Sequence, residues 1–176
     1  EHFSIVLFIL NTGVTVGELC RLTWGDLLAV ETPNDGSSNN APGYKRRFII
    51  SVGEKKRIRQ IPLTEAGVKP LLVFGLDSII FNYKRNLKKQ IFEIQGKVLT
   101  PKMVHYLVDK YALYMDFPVT PQILRNTFCK RLADADVPLK RLARMVGGKP
   151  EAARVYYSQP VAGPEQLLAA AEKVAI

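Results

Sequence analysis

The chain has 176 residues, 47% hydrophobic and 23% charged, which fits one globular domain with its own core and excludes a disordered or low-complexity chain. Its longest apolar run, Ile5 to Leu10, is far too short to cross a bilayer, and no signal peptide is visible, so no membrane association is expected. The formal net charge of +9 favours a polyanionic partner, nucleic acid ahead of an acidic membrane surface.

Taken in order, Phe3, Ile5, Val6, Phe8, Ile9 and Leu10 predict a helix that is apolar on most faces and therefore buried. Asn11-Thr12-Gly13 ends it. A second helix is predicted from Thr15 to about Leu22. Thr15 and Glu18 have capping-box spacing: the hydroxyl accepts from the Glu18 amide, and the carboxylate reaches back to the Thr15 amide. Leu27 to Val30 reads as a short strand, and 32–44 as a loop by composition. Strands follow at about 47–52 and 57–63, joined by a turn at Gly53-Glu54-Lys55-Lys56. A small antiparallel sheet with a basic hairpin tip is the expectation.

From Thr64 onward the pattern is helical. Thr64 caps a helix to about Val73, and 86–95 is basic without a clear period. Thr100-Pro101 and Thr120-Pro121 each open a helix, the second with Leu124, Phe128 and Leu132 on one face. Asp136-Val137-Pro138 opens a third, which Gly147-Gly148 stops. A short helix spans Pro150 to Tyr157, and Gly163-Pro164 opens a last one over 165–175. The sum is an α+β, mostly helical chain. One domain over 1–176 is expected, with 160–176 a candidate C-terminal docking arm.

Cys20 and Cys129 lie in apolar patterns and are expected as buried free thiols, consistent with a cytoplasmic or nucleoid-associated protein. His2 and His105 stand alone and no Cys/His ligand spacing exists, so no metal and no cofactor is expected. The positive charge is clustered. Lys45, Arg46, Arg47, Lys55, Lys56, Arg57 and Arg59 crowd one region; Arg125, Lys130, Arg131, Lys140, Arg141, Arg144, Lys149 and Arg154 crowd another. Such clusters suit phosphate contacts better than a uniformly solvated surface.

Four short motifs fall in order along the chain. The first is Thr12-Gly13-Val14-Thr15-Val16-Gly17-Glu18-Leu19, followed by Trp24-Gly25-Asp26. The second is the strand ending Ile61-Pro62-Leu63, and the third Pro121-Gln122-Ile123-Leu124-Arg125-Asn126-Thr127-Phe128. The fourth is Val146-Gly147-Gly148, with Tyr157 nine residues after Gly148. Together they resemble the catalytic domain of the tyrosine recombinase (phage integrase) family, which reads T-G-x-R-x-x-E-L with W-x-D, V-P-L, P-H-x-L-R-H-T-F, and L-G-H or L-G-W with a tyrosine nine on. The resemblance covers nearly the whole chain. It implies helices around a small three-stranded antiparallel sheet, double-stranded DNA as partner, and a missing N-terminal DNA-clamping domain.

The resemblance also implies a chemistry. A tyrosine attacks a phosphodiester and forms a 3′-phosphotyrosyl link. Two arginines hold the nonbridging oxygens, histidines bond the same phosphate, and a hairpin lysine protonates the leaving oxygen. Arg125 and Tyr157 match that list. Thr15 stands where the first arginine is expected, Gln122 and Gly148 where histidines or tryptophan are, and Glu54, eight residues before Pro62, where the lysine is. Lys55 is one step from that place, and Tyr156 is adjacent to the matching tyrosine.

Each oriented charge donor lost from a transition-state phosphate costs about 3–4 kcal/mol. The expectation is therefore a DNA-binding recombinase-like domain with impaired or absent cleavage. Lys55, Lys56, Arg57, Arg59, Gln122, Arg125 and Lys149 are its candidate DNA contacts. Two alternatives stay open. One is an active divergent recombinase using Tyr157, Arg125, Lys55 and a further cation such as Arg21 or Arg144. The other is a protein-interaction module that keeps the fold without DNA binding. Separately, helix 165–175 either packs on its own domain or docks into a neighbouring subunit of a homo- or hetero-oligomer. Beside these stand plainer roles: Thr15 as a cap, Arg125 as a core-flanking arginine, Tyr157 as a packing aromatic, the hairpin as a solvated face.

Overall fold

The computed structural model describes residues 1–33, 44–53, 58–81 and 86–158. Glu54, Lys55, Lys56 and Arg57, most of the loop expected at 32–44, and the arm expected at 160–176 lie outside the described residues.

Helix α1, His2–Thr12, ends where Gly13 turns left-handed at φ 63 and returns its N–H to the Ile9 carbonyl. Helix α2, Val16–Arg21, begins on Thr15, whose hydroxyl accepts from the Glu18 amide while the Glu18 carboxylate accepts from the Thr15 amide. The predicted capping box therefore forms. A 3-10 turn at Trp24–Asp26 leads into β1, Leu27–Pro33, which runs longer than the predicted strand. Strands β2, Tyr44–Val52, and β3, Arg59–Leu63, complete an antiparallel sheet in the order β1-β2-β3. Ile50 pairs with Leu27 on one side and Ile61 on the other, and both isoleucines are fully buried.

Helix α3, Glu65–Val73, starts on Thr64 as expected. A short helix α4, Leu76–Phe81, and a two-stranded ribbon, β4 at Glu93–Ile94 and β5 at Lys97–Val98, are additions that the sequence pattern does not announce. Helices α5, Pro101–Ala112, and α6, Pro121–Asp134, each carry Pro at the first position and a threonine cap. Helix α7, Leu139–Val146, stops at Gly147, φ 72. The helix expected over 150–157 is two short ones, α8, Pro150–Ala153, and α9, Val155–Ser158.

The first helix is the centre of the core. Ile5, Phe8 and Ile9 are fully buried, and α1 packs on α3, α5, α6 and β3. Phe8 and Phe74 both meet the ring of Phe92, at 4.9 and 5.0 Å between centroids, in the tilted geometries that aromatic rings prefer. Both cysteines are buried free thiols. The Thr120 hydroxyl accepts from the Ile123 amide at 3.2 Å and fixes the start of α6. Thr120→Ala is expected to destabilise the domain by about 1 kcal/mol. A urea midpoint unchanged from the parent chain would show that α6 does not depend on this cap.

Candidate functional site

The ends of α1 and α7 and the start of β3 meet beside α6. The last carbonyls of a helix have no partner within it and need donors from elsewhere. Arg125, on α6, supplies them: Nη1 donates to the Gly13 carbonyl and Nη2 to the Val146 carbonyl. One planar guanidinium thus holds two helix ends. The glycines at those ends are required by space as well as by φ. A Cβ on Gly13 would lie 2.3 Å from Phe128 Cδ1, and one on Gly147 would lie 2.8 Å from Arg59 Nε.

Arg59 comes from the opposite side. The sequence places it on an exposed basic hairpin, but it is only 8% exposed. Its alternation partner along β3 is Ile61, which faces the core, and the same parity turns Arg59 inward. Arg59 Nη2 donates to Glu18 Oε2 at 2.8 Å. That oxygen also accepts from the Thr15 amide at 2.8 Å and the Thr15 hydroxyl at 2.9 Å. One carboxylate oxygen therefore bridges Thr15 and Arg59. Arg59 Nη1 is buried with no hydrogen-bond partner among the described residues. Burial lowers the Arg59 pKa from its ordinary value, opposed by the Glu18 charge and reinforced by that of Arg125. The two guanidinium groups therefore share one electrostatic neighbourhood.

The tyrosines divide. Tyr156 donates to Asn126 Oδ1 at 3.1 Å, and Gln122 Nε2 donates to the same oxygen at 2.8 Å. Burial pushes the Tyr156 phenol up, as do the charge and hydrogen bond of Cys129, while Arg125 pulls it down. Tyr157 instead donates to the Val137 carbonyl, and partial burial raises its pKa too. Both shifts run against the phenolate.

Of the candidate residues, Arg59, Gln122 and Arg125 gather with Tyr156 around α6. Thr15 joins through Glu18. Gly148 and Lys149 are exposed at the end of α7. Tyr157 is held at Val137 instead. Glu54, Lys55, Lys56 and Arg57 fall outside the described residues. One participant went unnoticed in the motif reading, Glu18 as an ion-pair partner, and Tyr156, the runner-up beside the matching tyrosine, is the phenol that bonds Asn126 on α6. Among the described residues no group of three or more His, Cys, Asp or Glu could hold a metal ion, and no helix is long and apolar enough to cross a membrane.

The three-stranded antiparallel sheet and the helices around it resemble the catalytic-domain fold of tyrosine recombinases. Solved structures bear this out. The XerA recombinase matches 99% of this chain over 56% of its own length, with a TM-score of 0.65 and 19% identity. The Tn1549 transposon integrase, in complex with transposon right-end DNA, matches 99% over 59%, with a TM-score of 0.60 and 24% identity. In sequence, a tyrosine recombinase of Agathobacter rectalis is 28% identical over 153 residues, 82% of this chain and 42% of that protein. No protein-family model matches. In fold and in sequence the chain is similar to tyrosine recombinases, and it spans less than half the length of the A. rectalis protein.

Proposed function

We propose that this domain binds double-stranded DNA in the manner of a recombinase catalytic domain while cleaving it poorly or not at all. The observation that carries the reading is the separation of parts. Arg125, Gln122 and Asn126 stand together, but the tyrosine at the matching spacing donates to the Val137 carbonyl, and a capping threonine replaces the first arginine. Forked guanidinium donors suit phosphate oxygens, so the binding half of the chemistry persists. The transition-state half lacks the arginine that Thr15 replaces, and the loss of one such oriented donor costs about 3–4 kcal/mol, or 10²–10³-fold in rate. Raised phenol pKa values add to that cost.

A second reading rests on Tyr156, whose hydroxyl lies in the neighbourhood of Arg125. In that reading a divergent enzyme cleaves through a different phenol. One experiment tests both. The chain is incubated with a nicked suicide duplex and examined for a covalent adduct, and its duplex affinity is measured across a salt series. The expected result is a steep negative slope of log K against log salt with no adduct. An adduct lost in Tyr157→Phe or Tyr156→Phe would overturn the silent reading and name the nucleophile. No affinity at low salt would remove the DNA reading itself and leave protein interaction as the use of the fold.

A further inference from the structure

We infer that Arg59 is the second phosphate-binding guanidinium of this domain, delivered from β3 to the neighbourhood that Thr15 leaves uncharged, and that its ligand is one phosphodiester of the DNA backbone. The inference rests on the DNA-binding reading above and deepens it.

Geometry comes first. Arg59 Nη2 and the Thr15 amide and hydroxyl converge on the same oxygen of Glu18. The side chain therefore reaches the capping turn of α2 although it starts on a strand 41 residues away. Its guanidinium crosses Gly147, where any Cβ would strike Nε and Cδ. Beyond it, a Cβ added at Gly148 would meet only Val146 Cγ2, at 3.9 Å. Where the resembling family carries a histidine or tryptophan, this chain leaves room.

Charge comes second. Among the described residues, Arg59 pairs with the carboxylate of Glu18 and also feels the charge of Arg125, and that carboxylate already has three donors on one oxygen. The cluster keeps a surplus positive charge in a largely buried setting, where an uncompensated charge is unfavourable. An anion corrects that surplus.

The orphaned donor comes third. Arg59 Nη1 is buried without an acceptor among the described residues, a condition that native structures seldom leave unfilled. Nonbridging phosphate oxygens are suitable acceptors for a guanidinium. Arg59 also lines an open groove of about 680 Å³ with Gln60, Met145, Arg141 and Arg144. Among the described residues no carboxylate lines that groove, a charge balance that suits a polyanionic backbone.

The test measures duplex affinity by fluorescence anisotropy over a salt series for the parent chain and Arg59→Gln, each confirmed folded by thermal melting. The substitution is expected to weaken binding about tenfold and to reduce the magnitude of the salt slope by about 0.9, the signature of one phosphate contact removed. Arg59→Gln binding with unchanged affinity and slope would overturn the inference and leave the DNA reading standing. A parent chain without salt-dependent affinity would overturn the reading beneath it. If Arg59→Gln does not fold, the unmodified chain decides through its arginine Nε–H resonances during titration with the duplex. A shift at Arg59 alongside Arg125 supports the inference; Arg59 unmoved while Arg125 shifts overturns it.

Discussion

Glu18→Ala is expected to lower the stability of the domain by about 3–5 kcal/mol, the range for removing one partner of a buried ion pair. The Arg59 and Glu18 side chains are only 6% and 12% exposed, so the charge left behind has little access to water. The same substitution removes the acceptor for the Thr15 amide and hydroxyl, and with it half of the capping box. Pairing it with Arg59→Met should restore much of the loss, since replacing a buried pair by apolar groups is often neutral. Urea denaturation with an unchanged m-value measures both. A loss below about 1 kcal/mol, the level of an exposed pair, would mean that water reaches this ion pair freely.

Gly13→Ala is the second large effect, expected at about 2–5 kcal/mol. Left-handed backbone costs a side-chain-bearing residue about 1–2 kcal/mol. The new methyl would also stand 2.3 Å from Phe128 Cδ1, and forcing extra volume into a packed site costs typically about 1–3 kcal/mol. Phe128 is 8% exposed and has little room to retreat. Adding Phe128→Leu should relieve the overlap but not the backbone strain, so a partial recovery in thermal melting is expected. Full stability in Gly13→Ala alone would show that the turn after α1 relaxes without cost.

Much of this fold was legible because its signals are local. Thr15, Thr64, Thr100 and Thr120 each cap the helix they were expected to cap, since a cap is decided by three or four consecutive residues. The sheet follows from alternation and turn residues in the same way. Helix α4 and the β4–β5 ribbon went unread because six residues and two-residue strands are too short to display a period. Arg59 is the instructive case. Its parity with Ile61 on β3 pointed inward, but a crowd of neighbouring charges outweighed the alternation. The partner that makes its burial tolerable, Glu18, already had a local duty as a capping residue, which hid its second one. Spacing likewise pointed to Tyr157 but carried no information on which of two adjacent phenols bonds Asn126 on α6. Consecutive residues on a helix point about 100° apart, and tertiary packing alone chooses between them.

The hold of Arg125 on the Gly13 and Val146 carbonyls makes ligand and scaffold competitors. A guanidinium has five N–H donors, and two of these are committed to the two helix ends. An anion that engages only the remaining donors leaves the clasp shut and finds a rigid receptor. An anion that recruits either committed donor unfastens α1 or α7 as it binds. Its affinity is then reduced by whatever that helix end loses, and the order of the two helix ends and the occupancy of the site become a single equilibrium.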